Sequence, residues 1–175
     1  AAREFRLHYQ PKIAVASGAV DGVEALLRWP SGTVSPGVFV PILESMGLID
    51  EVGEWLLEQA LVDTSQWRAA KSDDFRVAVN VSQLQLRQEN FADRVLEVLV
   101  KTAYPSSRLE LEVTESMLMT DPSRAAATLG RLRDAGVSVA IDDFGTGYSS
   151  LQVLTRLPVD VLKIDRSFVD PLDHD

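Results

Sequence analysis

The chain has 175 residues, of which 46% are hydrophobic, with a mean hydropathy of +0.02 and a formal net charge of −9. This length and apolar content exclude a disordered chain and suit one domain with its own core. The acid surplus argues against broad binding to nucleic acid, so no duplex partner is expected, and the absence of cysteine excludes disulfides and thiolate metal sites.

In chain order, Phe5–Ile13 and Val20–Trp29 read as strands, and "PSGTVSPG" as a loop. Val38–Met46 reads as a short helix closed by Gly47. A longer helix follows, with Ile49, Val52, Leu56, Leu57, Ala60 and Leu61 at helical spacing and Asp50 near its start. Phe75–Val81 is β-rich, "FADRVLEVLVKTA" is helical, and Leu109–Thr114 is a strand. "DPSRAAATLGRLRDAG" predicts a helix with Asp121 as N-cap, Pro122 at its first position and Gly136 as its stop. Val137–Ile141 is a strand, Ser149–Leu157 a short helix and Val161–Ile164 a strand. From residue 75 the order is βαβαβαβ, which predicts a parallel sheet with helices outside. Open doubly wound sheets and closed barrels both satisfy that order, and no composition break divides the chain. No apolar run reaches the roughly 18 residues needed to span a bilayer. The domain itself is therefore expected to make no membrane contact.

Side chains alternate along a strand, so parity sorts the polar residues. Glu24, Leu26 and Arg28 share one face of their strand. Asn80 opposes Val77, Val79 and Val81. Glu110 and Glu112 oppose Leu109, Leu111 and Val113. Lys163 and Asp165 oppose Leu162 and Ile164. The fifth strand runs into two adjacent acids, Asp142 and Asp143, followed by Gly145-Thr146-Gly147. In a parallel sheet the C-terminal strand ends lie on one side, where α/β proteins place their sites. Glu24, Asn80, Glu112, Asp142 and Asp143 can then converge. Convergent acids need a counter-charge, and oxygen donors of this kind suit Mg²⁺, Mn²⁺ or Ca²⁺. Cations would cancel the repulsion between Asp142 and Asp143, and Lys163 would add a fixed positive charge. Glu110 reads as structural, and Trp29, Trp55 and Trp67 as packing residues. The two histidines, His8 and His174, are too few for a His-rich zinc site.

Six ordered motifs now carry a resemblance. They are "YQP" at 9–11, Glu24-Ala25-Leu26 within "GVEALLRW", "VNVS" at 79–82, "ELEVTES" at 110–116, "IDDFGTGYSSL" at 141–151 and "LKIDRSFV" at 162–169. Together they resemble the EAL-domain family over nearly the whole chain. The resemblance implies an α/β fold, a TIM-type (β/α) barrel with an antiparallel first strand. It implies hydrolysis of the bacterial second messenger cyclic di-GMP to linear pGpG, with two Mg²⁺ or Mn²⁺ ions and with Ca²⁺ inhibitory. It implies Glu24, Asn80, Glu112 and Asp142 as metal ligands and Asp143 as the ligand to the second metal. Lys163 would position the attacking water, and Glu115 would anchor the Asp-Asp-Phe-Gly loop. Glu24, Asp143, Lys163 and Glu115 are thus the expected catalytic set. Gln10, Leu26 and Arg28 are the expected substrate contacts, Arg28 to a phosphate. Sensory or diguanylate-cyclase domains in the parent protein, and a homodimer, are expected partners. The domain is expected to face the cytoplasm, in a parent open to inner-membrane anchoring.

The chain departs from the family pattern at its end. About six of eight strands are legible, so residues 1–175 read as an EAL domain lacking its C-terminal portion. The later glutamate and glutamine motifs have no counterpart. A part of a longer protein, a lost C-terminal third, and two chains completing each other's sheet all fit. Asp-Phe-Gly also occurs in protein kinases, but no Gly-rich loop or His-Arg-Asp motif accompanies it. The alternative function is a non-catalytic receptor for cyclic di-GMP. A metal-dependent barrel enzyme acting on another phosphoester is a weaker third reading.

Overall fold

A computed structural model describes residues 5–29, 34–68, 75–145 and 157–170. Among them, six strands form one sheet in sequential order: β1 (Arg6–Ile13), β2 (Val20–Arg28), β3 (Arg76–Asn80), β4 (Leu109–Thr114), β5 (Ser138–Phe144) and β6 (Val161–Ile164). β1 pairs antiparallel with β2, as a short β1–β2 hairpin allows. Every later neighbour is parallel, and the connections from β2 to β3, β3 to β4 and β4 to β5 cross over through helices.

The helices are α1 (Pro36–Ser45), α2 (Ile49–Arg68), α3 (Gln83–Leu86), α4 (Phe91–Thr102), α5 (Glu115–Thr120) and α6 (Pro122–Asp134). The core lies between the outer face of the sheet and these helices. Val23, Val77, Leu111, Val139 and Ile141 meet Val52, Leu61, Val95, Leu129 and Leu132 there. β1 is held to the same layer by Tyr9, whose hydroxyl donates to Asp63 Oδ2 at 2.6 Å and whose ring meets Trp67 edge-on at 4.7 Å. Trp29 packs edge-on against Phe5 and Phe39 at 5.4 and 5.8 Å.

Several boundaries differ from expectation. α1 begins at Pro36 rather than Val38, because proline suits the first helical turn, and Ser35 precedes it in extended conformation. Asp121 caps α6 as expected, accepting from the Arg124 amide at 3.1 Å. The chain leaves α6 through Gly136 at φ +94°. Two short helices were not anticipated. α3 carries a capping box, with Ser82 accepting from Gln85 N and Gln85 Oε1 accepting from Ser82 N, a signal present in "SQLQ". α5, six residues long, is too short to show helical periodicity. The expected helix Ser149–Leu157 lies almost wholly outside the described residues.

The largest correction concerns β5. It does not stop at Ile141 but runs through both acids to Phe144. Its register to β6 shifts between Ile141 and Phe144, and Asp143 adopts φ +54°. An extra residue in one strand bends it and re-aims its side chains, so the two acids sit inside a bulge rather than in a loop.

Parallel register needs close backbone approach at Gly22. A Cβ there would meet the Arg76 carbonyl oxygen at 2.7 Å. Gly22→Ala is expected to destabilise the fold by about 1–3 kcal/mol, read as a lower midpoint in urea with an unchanged slope.

Candidate metal centre

Register stacks the inner face of the sheet in layers. Gln10, Glu24, Ala78, Glu110 and Ser138 are successive Cα partners across β1–β5. One step higher, Asn80, Glu112, Ala140 and Val161 form the next layer, and Thr114 pairs with Asp142 above it. The polar half of each alternating strand therefore converges on one space, as the parity count predicted.

The oxygens of Glu24, Glu112 and Asp142 offer one ligand atom each within 4.8 Å of one another. Asn80 Nδ2 donates to Glu24 Oε1 at 2.8 Å, which leaves its carbonyl Oδ1 as the atom available to a cation. Lys163 reaches all three acids, at 2.7 Å from Glu112 Oε2, 3.1 Å from Asp142 Oδ1 and 3.3 Å from Glu24 Oε2. Glu112 is 1% exposed, and its Oε1 makes no hydrogen bond. Burial, aided by the charge of Glu24, pushes the Glu112 carboxyl up to about 7 against the opposing pull of Lys163 and Lys12. Burial works against the Lys163 ammonium, but its bond to Glu112 and the charges of Glu24 and Asp142 outweigh it, so Lys163 is raised and stays charged. An oxygen-only donor set that is short of positive charge, with a buried oxygen lacking a donor, fits a hard divalent cation.

Asp143 stands beside this trio and outside it. It is exposed, and partial burial with the charges of Asp142 and Asp165 raises its carboxyl. Glu115, 3% exposed at the start of α5, accepts from the Gly145 amide at 3.2 Å and so ties the end of β5 to the end of β4. Gln10 is exposed on β1 directly opposite Glu24. Leu26 and Arg28 are half-buried on the face of Glu24, and Arg28 donates to the Leu27 carbonyl at 3.0 Å. Leu26, Arg28, Asn80, Ser82 and Thr114 line a cavity of about 500 Å³ that also touches α1. This is a volume of ligand scale.

Sequence reasoning missed Lys12. Its Nζ lies 2.5 Å from Glu110 Oε1 and 3.6 Å from the orphan Oε1 of Glu112. The parity of Gln10 and Lys12 in "YQPK" would have placed it on the inner face. Glu110 is thereby accounted for by an ion pair. Removing the carboxylate of Glu115 should loosen the β5 bulge that carries Asp142 and Asp143. Glu115→Gln is expected to weaken Mn²⁺ binding about 10–100-fold, the usual effect of losing a group that supports ligands. Calorimetric titration checks it, with circular dichroism unchanged.

A sheet of this topology, with carboxylates at the C-terminal ends of its parallel strands, defines a barrel-type α/β protein with an acidic centre. The EAL domain model matches residues 1–175. The chain is 45% identical over 176 residues to the bifunctional diguanylate cyclase/cyclic di-GMP phosphodiesterase MucR of Pseudomonas aeruginosa, covering 99% of this chain and 26% of that protein. It is 43% identical over 169 residues to the cyclic di-GMP phosphodiesterase NbdA of the same organism, covering 95% of this chain and 22% of NbdA. A solved structure of the MucR phosphodiesterase in a c-di-GMP complex superposes with a TM-score of 0.91 at 44% identity, covering 99% of this chain and 71% of that one. The chain belongs to the EAL family. It spans about a quarter of the length of the curated relatives it matches.

Proposed function

We propose that this domain hydrolyses cyclic di-GMP to linear pGpG with two divalent cations, Mg²⁺ or Mn²⁺. The observation that carries the reading is the trio Glu24, Glu112 and Asp142, whose ligand atoms lie within 4.8 Å and share Lys163. Glu24, Asn80, Glu112 and Asp142 would hold the first cation, and Asp143 the second. When bound, the cations stabilise charge on the attacking and leaving oxygens of the phosphodiester. Lys163 holds the attacking water in line with the scissile bond. Glu115 keeps the Asp142–Asp143 bulge in place through Gly145. Gln10, Leu26 and Arg28 orient the dinucleotide across the strand ends. Residues 1–175 act as EAL-domain sequence in a parent that carries sensory or cyclase modules. Among the described residues no helix is long and apolar enough to cross a membrane. We place the domain in the cytoplasm.

The test incubates the protein with cyclic di-GMP and Mg²⁺ or Mn²⁺ and follows pGpG by chromatography. Cleavage is expected to vanish in Glu24→Ala and with a chelator, and to be inhibited by Ca²⁺, whose longer bonds and looser geometry misplace the water. Silence of a chain extended to the full barrel, with binding retained, would favour the non-catalytic receptor and overturn the enzyme.

A further inference from the structure

We propose that Arg6 joins Arg28, already expected to contact a phosphate, in a clamp that holds the phosphodiester of the cyclic dinucleotide that is not cleaved, which makes Arg6 a specificity-determining residue. The proposal rests on the reading above, that the substrate is a cyclic dinucleotide.

Arg6 and Arg28 are direct Cα partners in the antiparallel β1–β2 ladder. Their face is settled by their neighbours. Phe5, Leu7 and Tyr9 turn to the outer core, while Gln10 lies opposite Glu24 on the inner side. Arg6 therefore shares the inner face with the carboxylate site. Because β1 runs antiparallel, its start lies at the C-terminal end of β2, on the side where the acids converge.

Like charges directly opposite each other on one face are destabilising. A chain with net charge −9 has acids to spare, yet among the described residues none pairs with either arginine. The interior carboxylates are taken by the lysines: Glu110 by Lys12, and Glu24, Glu112 and Asp142 by Lys163. Arg28 donates only to a backbone carbonyl among the described residues. Two arginines opposed in register, with no carboxylate partner among the described residues, suit an anion that arrives from outside. Their planar forks match phosphate oxygens two at a time.

Position decides which phosphate. Arg28 is four residues beyond Glu24, about 13 Å along the strand at some 3.3 Å per residue. Neither arginine joins the carboxylate cluster, so the anion they bind is separate from the one being cleaved. A cyclic dinucleotide carries two phosphodiesters. With one at the acids, the other is directed along the cavity that contains both Asn80 and Arg28.

The experiment measures steady-state kinetics in Mn²⁺ with two substrates. One is cyclic di-GMP. The other is bis(p-nitrophenyl) phosphate, which has a single phosphodiester. Arg6→Gln is expected to raise KM for cyclic di-GMP about tenfold, the scale of one lost charge-assisted contact. Its kcat should stay within about twofold, the pattern of lost uniform binding. The kcat/KM for the small ester should not change. Arg6→Lys should recover part of the loss. The double variant Arg6→Gln/Arg28→Gln should lose less than the product of the single effects, because both groups serve one anion. An unchanged KM in Arg6→Gln, or equal losses on both substrates, overturns the clamp. Calorimetry with cyclic di-GMP and Ca²⁺ separates the two readings. A protein that binds without cleaving, and binds about tenfold more weakly as Arg6→Gln, keeps the clamp and loses the enzyme. A protein that neither binds nor cleaves overturns both.

Discussion

Glu112→Gln is expected to cut kcat for cyclic di-GMP on the order of 10³-fold or more while making the metal-free fold more stable above pH 7. Both effects have one cause. Glu112 is 1% exposed in the middle of β4, within 4.8 Å of two other acids. Its carboxyl is raised to about 7, chiefly by burial. A folded-state value above the unfolded one means that the native protein keeps a proton that the unfolded chain releases. Its stability therefore falls as pH rises from about 4.5 to about 7, and the deficit is complete above that. Glutamine keeps the volume and still offers an acceptor to Lys163, but carries no charge. The gain should be on the order of 1–3 kcal/mol at pH 8 and should vanish below about pH 4.5. Thermal melts in chelator across that range, with Mn²⁺ calorimetry alongside, check both halves. Mn²⁺ binding as tight as that of the parent would remove Glu112 from the ligand set. A variant that melts lower at pH 8 would show that the carboxylate supports the fold.

Lys163→Met should move stability the other way. Its ammonium is shared by Glu24, Glu112 and Asp142 at 3.3, 2.7 and 3.1 Å. Taking it away leaves three acids around one point without their common cation. Breaking a buried pair costs about 3–5 kcal/mol, and less is expected here because the Lys163 side chain is 24% exposed. Added Mn²⁺ should restore more of the melting temperature in this variant than in the parent, because a cation replaces the missing charge. The kcat should fall about 10²–10⁴-fold, the usual range for a group that handles the reacting water or its proton. A variant that turns over within tenfold of the parent would show that Lys163 is only the counter-ion of the acidic trio.

The inner face was legible because alternation is a local property. Glu24, Asn80, Glu112 and Lys163 were placed by parity alone, and ladder register brings them together. Among the described residues, strand and helix types were legible for the same reason, apart from α3 and α5, whose few residues give too little periodicity to detect. The family membership was legible in six motifs. Asp142 and Asp143 were harder. Parity puts adjacent residues on opposite faces, so it cannot place both acids on the inner side of the sheet. The bulge with Asp143 at φ +54° is a pairing property of β5 against β6, two segments separated by 16 residues.

Sequence by itself determined the class of fold, the polar face of each strand and the identity of the acids, because hydrophobic alternation and motif order are written residue by residue. Tertiary structure alone decided the counter-charges. Lys12 meets Glu110 across 98 positions, and Lys163 meets Glu24 across 139. It also decided that Arg6 stands opposite Arg28. Such pairings follow from which strands lie side by side and in what register, and register is set by the burial of whole faces rather than by any local signal.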